Sequence, residues 1–128
     1  MANKFPFSCH GLALSGTIAA VVEQNRLMKI SADETFAEAG ANEFVAGRLV
    51  KVPDAANGLG TVETPFKELV EIVGSGALVA GGFVKMAAAS GGNQRVTAWV
   101  DGTDSITRLY GIVFKGGADG ATVKVLVF

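Results

Sequence analysis

Residues 44–52 read FVAGRLVKV and residues 78–86 read LVAGGFVKM, with five of the nine positions identical at an offset of thirty-four. Continued without a gap, the alignment sets Ala55 on Ala89, Gly58 on Gly92 and Val62 on Val96, so that residues 45–62 match residues 79–96. In each copy Val-Ala-Gly marks a turn, where Gly47 or Gly81 can adopt positive φ without steric cost, and the apolar-Val-Lys that follows opens a strand. Lys51 and Lys85 are expected to hold their ammonium groups in water. A loop of small residues, 53–60 or 87–93, leads on to a second strand containing Val62 or Val96. A single hairpin of this kind cannot bury its apolar face, so two copies must pack together to complete a core. The expectation is a mainly β chain, a small β-barrel or β-sandwich built from two related β units, with Val50, Val62, Val84 and Val96 pointing into a shared interior.

The rest of the chain extends this reading. Seventeen glycines against three prolines divide it into segments of strand length. ATVKVLVF (121–128) alternates Val123 and Val125 with Thr122 and Lys124, then ends wholly apolar, as a strand buried at its end does. GGADG (116–120) is a hairpin signal joining it to 109–115, and 95–100 lies between the turns at 90–93 and Asp101-Gly102. Two stretches leave room for at most one or two short helices. TPFKELVEIVG, from Thr64, has helical caps and spacing but also reads as a strand over 69–73, and the expectation is a turn or two of helix running into a strand. SADETFAEAGANEF (31–44) reads as a short helix or an exposed loop. Residues 1–11 are set apart as an extended N-terminal arm, and 12–128 as one β-rich domain. Pro6 blocks a helix in the arm, and Phe5 and Phe7 have no local repeat to cover them. They either fold back on their own domain or dock, with His10, on a neighbouring subunit or another partner.

A chain of 128 residues is one domain by length and buries roughly two-thirds of its unfolded surface. With 49% hydrophobic and only 18% charged residues, it is expected to hide part of its surface against a partner. Eleven basic and twelve acidic residues, interspersed, supply no electrostatic footprint for nucleic acid. The apolar run 12–22 is about half the length of a membrane span. No membrane association is expected, and the surroundings of that run do not make a secretory leader. Cys9 is the single cysteine, which rules out an intrachain disulfide and a thiolate zinc site and fits synthesis in the cytoplasm.

The search for chemistry yields little. His10 is the single histidine, and Cys9 and His10, adjacent on an extended chain, point to opposite sides and make a poor nucleophile and base. GSGALVAGG (74–82) has glycines without the Gly-Lys-Ser/Thr of a phosphate loop. Asp101 to Asp104 reads as a hairpin turn. Trp99 and Tyr110 suit a core or a subunit interface, and less well a sugar platform. The chain is expected not to be an enzyme and to have no catalytic, metal or cofactor residues.

ALVAGGFVKM, VTAWV and LYGIVFKGGADGATVKVLVF together resemble the capsid cement, or head decoration, proteins of tailed bacteriophages, over 78–128 with an echo at 44–52. Residues 1–25 and 31–44 have no counterpart in that pattern. The resemblance implies a protein of the virion that binds the outer surface of the assembled capsid and clamps neighbouring subunits of the major capsid protein, as a homotrimer near three-fold or quasi-three-fold points. Phe5, Phe7, His10, Trp99 and Tyr110 are then the expected capsid or subunit contacts. The competing reading is a glycan-binding or adhesion module on a phage or bacterial surface, using Trp99 and Tyr110.

Overall fold

The computed structural model describes residues 3–7, 10–65 and 68–127. Among them run eleven strands: β1 (Lys4–Phe7), β2 (His10–Ile18), β3 (Leu27–Ala32), β4 (Thr35–Glu38), β5 (Gly47–Lys51), β6 (Leu59–Pro65), β7 (Leu69–Gly74), β8 (Phe83–Ser90), β9 (Asn93–Ala98), β10 (Gly111–Lys115) and β11 (Thr122–Val127). The helical element among these residues is a 3-10 turn, Ile106–Arg108. The chain is mainly β and forms two closed units. One barrel runs β2-β4-β3-β5-β6; the other runs β7-β11-β10-β8-β9 and closes where β9 returns to β7, with β1 added at β7.

The two barrels repeat each other strand for strand and register for register. Gly47 faces Met28 and Arg48 faces Leu27; in the second barrel Gly111 faces Val84 and Ile112 faces Phe83. Arg48 and Leu49 face Glu63 and Val62, and the ladder slips before Lys51; Ile112 and Val113 face Leu126 and Val125, and the ladder slips before Lys115. The parallel closure sets Thr17 and Ile18 on Thr35 and Phe36 in one barrel, and Val73 and Gly74 on Arg95 and Val96 in the other. Turns repeat as well. Asn25 N–H donates to Leu49 O (2.7 Å) and Gly81 N–H to Val113 O (2.8 Å), both at positive φ, 67° and 86°. Asn57 and Gly120 form a second such pair, donating to Ile18 O and Gly74 O at φ of 63° and 81°. These are places only glycine, or a residue such as asparagine that tolerates the left-handed region, occupies cheaply.

The unit that repeats is therefore the five-strand barrel, and the phrase shared by residues 44–52 and 78–86 pairs the wrong hairpins. It sets β5–β6 on β8–β9, whereas in the fold β5 corresponds to β10 and β8 to β3. GRLVK in β5 and GIVFK in β10 are the true counterparts, sixty-four residues apart. Each begins with a glycine under a crossing carbonyl: a Cβ on Gly47 would lie 2.3 Å from Glu63 O, and one on Gly111 2.5 Å from Leu126 O. Val50 is a correction too, because Leu49 points inward at 0% exposure while Val50 is half-buried. Strict alternation from Leu49 would turn Lys51 into the core, and the bulge between them sends it out to solvent.

The interior is also two interiors rather than one. Ile18, Val22, Met28, Phe36, Leu49 and Val62 fill the first barrel. Val84 and Val96 belong to a separate cluster with Val70, Ile72, Met86, Val113, Val123, Val125 and Val127, joined by Leu27 and Ala39 from the first barrel. Equivalent positions exchange bulk between the two. In the first barrel Gly16 leaves room for the Phe36 ring and Gly60 for Ile18, where added Cβ atoms would come within 2.7 and 2.6 Å of those side chains. In the second, the same register positions hold Ile72 opposite the smaller Val96, and Val123 beside Gly74. Total volume is kept while its distribution changes, the kind of exchange that close-packed cores tolerate.

Two segments differ from expectation. Residues 31–44 are neither a helix nor simply a loop: Ser31 and Ala32 end β3, and Thr35–Glu38 is β4, paired with β3 and with β2. Barrel closure takes four residues whose alanine and glutamate content reads as helical, tertiary pairing overriding local propensity. Thr64 and Pro65 end β6 and Leu69–Gly74 is β7, while Phe66 and Lys67, inside the expected helical turn, lie outside the described residues.

The N-terminal arm is extended, as expected, and its backbone is not free. Lys4 and Phe7 pair with Glu71 and Leu69 of the same chain. His10 already belongs to β2, opposite Pro65, so the boundary between arm and domain at 11–12 falls inside a strand.

Candidate functional site

Trp99 stands where β9 ends and the long connection to β10 begins, and this connection is built as a platform. Trp99 N–H donates to Phe83 O at 2.8 Å, and its indole Nε1–H donates to Ser105 O at 2.9 Å. Asp104 closes the intervening turn by accepting from Val100 N–H at 2.7 Å and from Lys85 Nζ at 2.7 Å. Those two bonds, that to Lys85 first, hold the Asp104 carboxyl below its ordinary range. Ser105 caps the 3-10 turn by accepting from Thr107 N–H.

With the polar atoms of Trp99, Asp104 and Ser105 engaged internally, part of the connection presents carbon outward. The rings of Phe83 and Trp99 meet edge to face, 6.1 Å between centroids and 81° between planes. Together with Ile106, Leu109 and Asp101 they line a shallow hollow. Phe83 is 43% exposed and Ile106 70%, so a contiguous apolar surface faces solvent. Exposed apolar patches of this kind are where proteins commonly meet other surfaces.

The equivalent connection in the first barrel, between β4 and β5, carries the same device. Lys29 occupies the register position of Lys85 and pairs with Glu43, as Lys85 pairs with Asp104. The Lys29 bond lowers the Glu43 carboxyl below its usual value, helped by the Gly40 N–H and the nearby Arg108 charge. Phe44 beside it is 59% exposed, and the two connections meet around a cleft that includes Phe44, Thr64, Arg108 and Leu109.

Between the barrels lies a buried polar junction. Gln94, 1% exposed, accepts from Leu27 N–H at 2.7 Å and from Asn3 Nδ2 at 2.9 Å, and donates to Leu27 O at 2.8 Å and Ala39 O at 3.2 Å. Arg26 donates to Gly92 O and pairs with Glu23 and Glu38. Arg48 reaches Glu68 at 3.3 Å, Asn25 Oδ1 at 3.2 Å and Glu63 at 3.9 Å. Of these pairs Arg48–Glu68 is the buried one, where removing one partner strands the other at a cost of about 3–5 kcal/mol.

Of the contact residues expected from sequence, Trp99 lies at the surface platform. Tyr110 does not: it is 6% exposed within the second core, where desolvation first, and then the Glu68 charge, push its phenol far above the ordinary value. It is a core residue, and it does not share an exposed face with Trp99. The side chains of Phe5, Phe7 and His10 lie outside the described residues, as does Cys9. Among the described residues no cluster of three His, Cys, Asp or Glu side chains could hold a metal ion, and no helix is long and apolar enough to cross a membrane. Sequence reading missed Phe83, Ile106 and Asp104. Phe83 and Ile106 were legible as large apolar residues in glycine-rich and polar surroundings, and Asp104 as the closing acid of the turn at 101–104.

No protein-family model matches the sequence, and no curated protein sequence is significantly similar to it. Among solved structures, the chain is similar to the crystal structure of the head fiber gp8.5 N base in bacteriophage phi29. The TM-score is 0.60, at 15% identity, covering 91% of this chain and 93% of that one. The two chains share a fold. The coverage spans both barrels, so the shared feature is the duplicated arrangement and not one unit of it.

Proposed function

We propose that this protein is a structural component of a bacteriophage head, binding the outer surface of the assembled capsid as a decoration protein and stabilising contacts between major capsid subunits. The observation that carries the reading is the two-barrel fold, shared over nine-tenths of the chain with the base of a phage head fiber. The composition and the exposed Phe83–Trp99–Ile106 surface are of a kind with it. A chain poor in charge that leaves a rigid apolar platform in water gains free energy when that platform is covered. The protein acts as a trimer on the lattice, with aliphatic and aromatic residues of the second barrel at the contacts. A glycan-binding role would have paired Trp99 with Tyr110, and the burial of Tyr110 leaves that reading without its second aromatic.

The test is co-sedimentation of the purified protein with empty expanded heads of the phage that encodes it. The wild type is expected to pellet with heads. Ile106→Asp, at an exposed position, is expected to keep its melting temperature and to lose about ten-fold or more in affinity. A wild type that stays in the supernatant with heads yet is retained on a glycan matrix would replace this proposal with the adhesion module.

A further inference from the structure

The barrels are equivalent, yet among the described residues one edge is covered in the second and bare in the first. Along one side of β7, Val73 and Gly74 pair with β9 while Leu69 and Glu71 pair with β1. In β2 the counterparts of Val73 and Gly74, Thr17 and Ile18, make the same parallel contact with β4. The counterparts of Leu69 and Glu71 are Ala13 and Ser15, and among the described residues no strand lies beside them on that side. The direction of their backbone groups follows from strand alternation. Thr17 N–H donates to Glu34 O on the β4 side and Ile18 N–H to Gly58 O on the β6 side. Ala13 and Ser15 share the sense of Thr17, so their N–H and C=O groups face out of the open edge.

Burial tells the same story. Glu68, just before β7, is 2% and Val70 0% exposed, whereas on β2 Leu12 is 65% exposed and Leu14 only half-buried. An edge with free backbone groups beside an exposed leucine is a template for strand addition.

We infer that residues 12–15 of β2 are a docking edge for one extended segment of the capsid subunit. The segment lies antiparallel to β2, as β1 lies on β7, bonding the backbone of Ala13 and Ser15 and setting an apolar side chain against Leu12 and Leu14. The choice of the capsid rests on the proposed function. A second copy of this chain is the weaker occupant, since the segment known to fit, its β1, is already paired with its own β7, and moving it only exchanges one pairing for another.

Hydrogen–deuterium exchange, read by mass spectrometry on a peptide covering 10–18, tests this on the wild-type protein free and bound to empty expanded heads. Exchange at Ala13 and Ser15 is expected to be fast in the free protein and about ten-fold or more slower on heads, with 69–74 unchanged. Ser15→Pro removes an outward N–H without touching the β6 ladder. It is expected to keep the melting temperature and weaken head binding about ten-fold. Wild type bound to heads with exchange over 10–18 unchanged overturns the docking edge and leaves the proposed function standing. Failure of the wild type to bind heads overturns both. Protection over 10–18 that grows with protein concentration in the absence of heads makes the occupant a second copy and overturns the capsid assignment.

Discussion

The side-chain amide of Gln94 clasps the backbone of Leu27 from the opposite barrel, accepting its N–H at 2.7 Å and donating to its carbonyl at 2.8 Å, as a neighbouring strand would. One buried side chain thus continues a β ladder across the joint. Gln94→Leu keeps the volume and removes the polar atoms, stranding Leu27 N–H and the Ala39 carbonyl, while the Leu27 carbonyl keeps the bond it accepts from Ala39 N–H. The expected loss is about 3 kcal/mol of unfolding free energy, measured by denaturant titration. Gln94→Glu should be nearly as damaging, because a carboxylate accepts from Leu27 N–H but has nothing to donate.

The two cores are separate clusters, so truncations in them should act independently. Leu49→Ala in the first barrel and Met86→Ala in the second should each cost about 2–5 kcal/mol. The double variant, followed by equilibrium unfolding where the protein is stabilised enough to fold, should lose the sum to within about 0.5 kcal/mol. A coupling much larger than that would show that the barrels share one core after all.

Tyr110 is the single tyrosine, which makes its ionisation readable by ultraviolet absorbance. Its folded-state pKa is raised, by burial first and by Glu68 second, so the neutral phenol is the form the fold holds. The unfolded chain, with an ordinary phenol, releases its proton above pH of about 10, and stability falls as pH rises beyond that value. Tyrosinate absorbance should therefore appear only together with loss of the folded circular-dichroism signal. A smooth titration near pH 10 in a protein that remains folded would place Tyr110 in water.

Strand pairing makes the N-terminal segment part of the second barrel. Removing residues 2–7 exposes the β7 edge and takes away the Asn3 amide that donates to Gln94 and to Asn25 O. The isolated variant should lose about 2 kcal/mol, which for a domain of this size lowers the melting temperature by about 7 °C. A melting temperature equal to that of the full chain would return the segment to the role of a free arm.

How far the fold could be read from sequence depended on which residues wrote the pattern. Alternation in β11, Asp-Gly and glycine turns, and the apolar-Val-Lys strands are local signals, and they led correctly to a β chain of two related units. The period was misread because strands that leave a tight turn and then expose a lysine resemble one another wherever they lie. Val-Ala-Gly before β5 and β8 is that common solution, while the deeper repeat survives in paired registers and bulges that share few residue identities. Asn25 replaces Gly81, and Ile72 with Val96 replaces Gly16 with Phe36; no pattern of identity reports such exchanges. Of the segment 64–73 the strand over 69–73 was read correctly, while Thr64 and Pro65 end a strand instead of opening a helix; alanine content at 31–44 misled because pairing partners distant in sequence decided it. Trp99 was visible as an aromatic on a strand end. The platform around it was not, because Phe83, Asp104 and Ile106 come together only when the β9–β10 connection folds back on β8.

Reconstruction of empty expanded heads, with and without the added protein, tests most directly the proposal that this chain occupies the outside of a phage head. Difference density is expected on the outer surface, grouped in threes at three-fold and quasi-three-fold positions and large enough for two small barrels per copy. Heads that show no added outer density at saturating protein, or density only inside the shell, would contradict it.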